Sequence, residues 1–287
     1  MQEKKRGRTH SRWLFPAALV LAGAAWFENF TLSTSTVTAA CAALPEAFSG
    51  LRIVQISDLH GRRFDAESRY LLELVRLQSP DLIALTGDLA DEFTDFSMLP
   101  PLLDGLTALA PTFYVTGNHE WVLSREKREA LFSMLDAAGV VRLQNEYRLL
   151  KKGQASIVLA GVDDPNGPYD QKRPAQLVRE IRQSRGRDAY ILMLSHRNDE
   201  LDLWANMGVQ TVLCGHGHGG IVRLPFVGAV FGTHLDLFPD YTAGLYQKGQ
   251  TSMIVSRGLG GSRKLPLRIG NRPEIVTVIL KAESGKV

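Results

Sequence analysis

Two imidazoles two residues apart, His216 and His218, stand on the glycine turn GHGHGG that follows the apolar run TVLC. Alone, such a pair is an ordinary surface feature. Four further strand-like runs end in the same chemistry. RIVQIS leads into Asp58-Leu59-His60, LIAL into Thr86-Gly87-Asp88, FYV into Thr116-Gly117-Asn118-His119-Glu120, and YILML into Ser195-His196-Arg197. Five of the seven histidines fall on these ends, each beside small residues. Carboxylate, amide and imidazole are the oxygen and nitrogen donors that suit manganese, iron or zinc. Two such ions held about 3.5 to 4 Å apart clamp an in-line displacement at phosphorus, and a bridging carboxylate offsets their mutual repulsion. A thiolate-rich site is excluded, because Cys41 and Cys214 are the only cysteines, and both are expected to be free.

The elements that must position these residues alternate. Residues 52–57 and 82–85 read as short buried strands, and 67–78 carries apolar residues at helical spacing up to Pro80. Residues 98–109 read as a helix and 113–115 as a third strand. Ser124 caps a helix that runs to Ala138, with Gly139 as its stop signal. Residues 147–150 and 156–160 form a hairpin, followed by a helix over 175–185, a strand over 190–194, a short helix after Asp199 and a strand over 211–213. Residues 221–224, 251–255 and 275–280 carry strand signals alone. Strands alternating with helices predict an α/β fold whose carboxyl-end loops carry the chemistry. With no repeat or linker after residue 50, the chain reads as one domain over 31–287.

The five blocks D-x-H, GD, GNHE, an isolated SH and GHxH, in this order, resemble the calcineurin-like metallophosphoesterases over residues 51 to about 280. Within that superfamily the chain resembles the membrane-anchored bacterial phosphodiesterase branch, through its apolar N-terminus, GHGHGG with Leu224-Pro225-Phe226, Gly244-Leu245-Tyr246 and the closing Ser256-Arg257-Gly258-Leu259-Gly260. The resemblance implies a four-layer α/β/β/α sandwich preceded by an N-terminal membrane helix. It implies two divalent metal ions, the first held by Asp58, His60 and His218, the second by Asn118, His196 and His216, with Asp88 bridging. His119 would protonate the leaving oxygen, and Asp91, three residues after Asp88, either orients that imidazole or is a solvated loop residue. Arg197 reads as a structural ion pair or a phosphate ligand. Asn198 and Gly217 stand where the family often has proline and threonine, departures that bear on substrate preference.

The implied activity is hydrolysis of a phosphodiester or pyrophosphate by a metal-bridging hydroxide. A phosphoprotein phosphatase, a nucleotide phosphodiesterase and a non-catalytic metal-binding scaffold are the alternatives, and a scaffold is expected to have lost a ligand. His234 reads as an ordinary surface histidine. Residues 1–12 form a basic tail and 13–30 an apolar segment, expected to be a transmembrane anchor or a signal segment. The basic flank predicts a single-pass protein of the cell membrane with its catalytic domain on the extracytoplasmic side. Tethering there points to a lipid-linked phosphate ester as substrate. The net charge is +3, and Lys4, Lys5, Arg6, Arg8 and Arg12 account for it, so no nucleic-acid surface is expected.

Overall fold

A computed structural model describes residues 16, 19, 23, 25–233, 235–261 and 268–283. Strands are numbered along the chain. The first sheet has the spatial order β1 (Ser33–Cys41), β14 (Glu274–Ala282), β2 (Arg52–Ile56), β3 (Leu82–Thr86), β4 (Thr112–Val115) and β5 (Val141–Arg142). The second runs β12 (Gly244–Lys248), β13 (Thr251–Val255), β9 (Thr211–Cys214), β8 (Ile191–Leu194), β7 (Ala155–Gly161) and β6 (Glu146–Lys152). A separate hairpin pairs β10 (Val222–Leu224) with β11 (Gly228–Phe231). The helices are α1 (Arg69–Leu77), α2 (Leu99–Leu109), α3 (Asn118–Val122), α4 (Arg125–Ala137), α5 (Pro174–Arg185) and α6 (Leu201–Asn206).

The period of two along each strand sorts the core into three layers. Ile53, Leu82, Ala84 and Phe113 of the first sheet meet Leu159, Leu192, Leu213 and Ile254 of the second. The alternate residues Val54, Ile56, Ile83 and Leu85 face outward onto Leu71, Val75, Leu102 and Leu135 of α1, α2 and α4. On the other side Val158, Ile191, Met193 and Val212 pack against Leu177 and Ile181 of α5 and Trp204 of α6. The result is a mixed α/β sandwich with two sheets inside and helices on both outer faces. Both faces of the central strands are covered, which is why they read as unbroken apolar runs. Strands β2, β3 and β4 are parallel, as are β7, β8, β9 and β13, so the loops that leave their carboxyl ends gather at common edges. Beneath those loops the buried Gln55 joins the two sheets, its Nε2 donating to Thr86 Oγ1 at 3.0 Å and to the Cys214 carbonyl at 2.8 Å.

The membrane anchor expected over 13–30 is corrected here: among the described residues no helix is long and apolar enough to cross a membrane. The helical residues 25–30 are largely exposed and are tied to the domain through Asn29. The side chain of Asn29 is buried; its Nδ2 donates to the Arg268 carbonyl at 3.0 Å, and its Oδ1 accepts from Arg268 N at 2.8 Å. The guanidiniums of Arg62 and Arg272 lie over the rings of Phe30 and Phe27, at 5.5 and 4.4 Å from their centroids. The single-pass, extracytoplasmic placement falls with the anchor. The basic tail over 1–12 lies outside the described residues. The alternation that follows Thr31 is a strand, β1, which pairs in parallel with β14 over nine residues.

Candidate metal centre

Each predicted block leaves a strand end and enters one shared hollow. Asp58 and His60 follow β2, Asp88 follows β3, Asn118 and His119 open α3 after β4, His196 follows β8, and His216 and His218 follow β9. Asp58, His60, Asp88, His216 and His218 all have positive φ, between 49° and 66°. Residues with a Cβ adopt that backbone at a cost of order 1–3 kcal/mol each, and such strain gathers at functional sites. Glycines let the loops close. A Cβ on Gly215 would lie 1.9 Å from Ser57 Oγ and 2.2 Å from Asp58 Oδ2, and one on Gly117 would lie 2.3 Å from Asp88 Oδ1.

The donors fall into two groups: Asp58, His60, Asp88 and His218, and Asp88, His196 and His216, with the ligand atoms of each within 4.8 Å of one another. Asp88 belongs to both. In the first, His60 Nε2 is 3.3 Å from His218 Nε2 and 3.6 Å from Asp88 Oδ2, and His218 Nε2 is 3.6 Å from Asp58 Oδ1. In the second, His196 Nε2 is 3.2 Å from Asp88 Oδ2, 3.1 Å from Asn118 Oδ1 and 3.2 Å from His216 Nδ1. Ligand bonds of about 2.1 Å put neighbouring donors ~3.0–3.5 Å apart around a tetrahedral or octahedral ion. The spacings therefore fit divalent metal ions, and nitrogen and oxygen lone pairs converging without a thiolate fit the same class.

Electrostatics agree. Burial works against charge on both partners, yet Asp88 raises His196 to about 10, while His196 and His60 hold the Asp88 carboxyl well below the usual carboxylate range. Without metal the two form an ion pair, and a cation binding there displaces the imidazolium proton. Burial lowers His218 to about 4, and burial together with the neighbouring His196 and Arg197 lowers His216 to about 2, which favours the neutral ring that a metal ion requires.

His119 is brought to the rim but stands outside both donor groups: its half-buried ring meets His60 edge-on at 4.7 Å, and its backbone N donates to Asp88 Oδ1 at 2.8 Å. Burial lowers its pKa. Asp91 goes elsewhere than the expected partner. Its carboxylate is fixed by Phe93 N at 2.9 Å and Thr94 Oγ1 at 3.1 Å, and Oδ2 lies 3.7 Å from Nδ1 of His60, not against His119. His234 lies outside the described residues. Cys41 and Cys214 are buried and free.

Two acids escaped the sequence reading. Glu120, the last residue of GNHE, is fully buried and accepts four backbone N–H groups: Asp88 at 3.0 Å, Leu89 at 2.7 Å, Ala90 at 3.3 Å and Gly117 at 2.7 Å. It clips the Asp88 loop to the Asn118 loop. Burial and the charge of Asp88 push it up to about 7, against the pull of those donors. Asp164 takes a forked ion pair from Arg197, with Nε at 2.6 Å and Nη2 at 3.0 Å. A signal for it existed, since Asp163-Asp164-Pro165 ends β7 as the other acids end their strands.

A profile of calcineurin-like phosphoesterases matches residues 51–220 of the chain. YkuE of Bacillus subtilis (strain 168), named an uncharacterized metallophosphoesterase, is 31% identical over 267 residues, 90% of this chain and 89% of that protein. The phosphodiesterase YaeI of Escherichia coli (strain K12) is 31% identical over 234 residues, 80% of this chain and 82% of that protein.

Proposed function

The chain belongs to the calcineurin-like phosphoesterases and is a metal-dependent phosphoester hydrolase, and from that premise we propose a dinuclear phosphodiesterase that cleaves a phosphodiester or pyrophosphate bond. The observation that carries the dinuclear reading is Asp88, whose carboxylate belongs to both donor groups. Asp58, His60 and His218 would hold one ion and Asn118, His196 and His216 the other. Two divalent ions there, of manganese, iron or zinc, would neutralise charge at phosphorus and acidify a water.

The remaining tasks fall to side chains. His119, beside the donors but not among them, protonates the leaving oxygen. Asp91 stands behind His60, with Oδ2 3.7 Å from Nδ1, close enough to act on that ring through its charge. Glu120 keeps the Asp88 and Asn118 loops in register. YaeI is named a phosphodiesterase, which favours a diester over the phosphoprotein alternative. The lipid-linked substrate rested on tethering to a bilayer and loses its premise with the anchor.

The test is turnover of metal-stripped protein reloaded with manganese, iron or zinc. The panel is bis-p-nitrophenyl phosphate, p-nitrophenyl phosphate, a nucleoside diphosphate and a phosphopeptide. Diester turnover is expected. Monoester turnover alone would make the protein a phosphatase, and two bound ions with no turnover would make it a scaffold.

A further inference from the structure

Arg197 directly follows His196, and the fold holds its guanidinium by one edge only. Nε and Nη2 fork the Asp164 carboxylate, which has no solvent exposure. The third donor, Nη1, points at His216 Nε2, 2.9 Å away. The opposite nitrogen of that ring, Nδ1, lies 3.2 Å from His196 Nε2 on the side of the Asp88 group.

A guanidinium only donates, so the contact with His216 needs a lone pair on Nε2. An imidazole that gives its Nδ1 lone pair to a cation carries its hydrogen on Nε2. Two N–H groups would then face each other, and Nη1 would be left with a charge and no acceptor. It would stand at the wall of a cleft of about 380 Å³, which Arg197 and His216 share with Asn198 and with the carboxylates of Asp199, Asp236 and Asp240, so that the guanidinium is the one cationic side chain in an otherwise acidic lining. Asp164 engages Nε and one N–H of Nη2, so the guanidinium stays where it is and presents Nη1 to the cleft.

We infer that Arg197 binds the substrate, Nη1 donating to a non-bridging oxygen of the phosphoryl group, and that Asp164 is its positioning residue. The assignment rests on the phosphoesterase reading above. It gives the ion pair a purpose: a rigid hold on an anion through Nη1, beside the metal donors.

The experiment uses the manganese-loaded full chain, with inorganic phosphate titrated by calorimetry and ions counted for wild type, Arg197→Ala, Arg197→Lys and Asp164→Asn. Arg197→Ala should keep the wild-type ion content and bind phosphate about 10- to 100-fold more weakly, the loss of one charge-assisted hydrogen bond. KM for the diester should rise in parallel. Arg197→Lys should recover part of the binding, and Asp164→Asn should fall between. If Arg197→Ala loses ions in step with phosphate, Arg197 supports His216 instead, and the assignment fails; Arg197→Lys keeps the question open to measurement should the alanine variant fold poorly. A wild type that neither turns over esters nor binds phosphate would remove the phosphoesterase reading itself. A wild type that does both, beside an Arg197→Ala protein that binds phosphate equally well, would remove only the role of Arg197.

Discussion

Placing one methyl group on Gly117 should empty the metal centre without replacing any of its candidate donors. The backbone there has φ −101°, ordinary for alanine, so the obstacle is purely steric. A Cβ would lie 2.3 Å from Asp88 Oδ1 and 2.6 Å from Asp88 N. The backbone of Asp88 cannot yield easily, because its N–H is held by Glu120 at 3.0 Å. The carboxylate must therefore retreat by about 1 Å to reach ordinary contact distance. It would leave the bond from His119 N at 2.8 Å and lengthen its 3.2 Å approach to His196 Nε2. Overpacking of this kind costs ~1–3 kcal/mol in stability, and a misplacement of ~1 Å at a reacting centre costs ~100-fold in rate. Gly161→Ala is the matched control. Its Cβ would meet Leu143 Cβ at 2.5 Å and Val115 Cγ1 at 2.6 Å, a clash of the same severity between the sheets and away from Asp88. Metal content after dialysis, kcat/KM on a diester and melting temperature are measured for both. Gly117→Ala should lose ions and turnover, and Gly161→Ala only stability. Wild-type ion content in Gly117→Ala would refute the reasoning. So would equal ion loss in both variants, since metal loss would then report general loosening.

His119→Ala should lower turnover by ~10²- to 10⁴-fold, the range for a general acid, with ion content unchanged; loss of both ions would show it to be a ligand. Asp88→Ala, removing the carboxylate common to both donor groups, should lose metal, and two retained ions would contradict the shared role. Burial and the charge of Asp199 push Glu200 from 4.5 up to about 7. The folded chain thus keeps a proton that the unfolded chain has released between those values, and the contribution of this group to stability is fully present below pH 4.5. It should fall by at most about 3 kcal/mol as pH rises to 7, and not further from this group. Denaturant midpoints of metal-free protein at pH 5 and 7.5 measure it; Glu200→Gln should flatten the slope, and an unchanged slope counts against it. Chelation should lower the melting temperature, since an ion at 100 times its Kd stabilises by about 2.7 kcal/mol. Identical melting with and without chelator would mean that no ion is bound.

The sequence by itself determined which loops carry the candidate donors, and most elements around them. The β13 strand is observed at Thr251–Val255 as predicted, and Ser124 caps α4, accepting from Lys127 N at 3.3 Å. These signals are local: a period of two or 3.6, a cap, or two donors on one turn needs no distant partner. Edge strands were less legible. β5 is two residues long, and β12 is mostly exposed, so neither carries an apolar run. What only the tertiary structure decided is pairing between distant residues. Asp91 met His60 because the turn through Thr94 aims its carboxylate there. Arg197 met Asp164 because β7 and β8 are parallel neighbours whose ends lie side by side. Asn29 met Arg268 across 239 residues, a contact that nothing in the apolar run before it announces. Composition and spacing describe what a residue can do. Which partner it does it with depends on sheet order, and sheet order is set by burial summed over the whole chain.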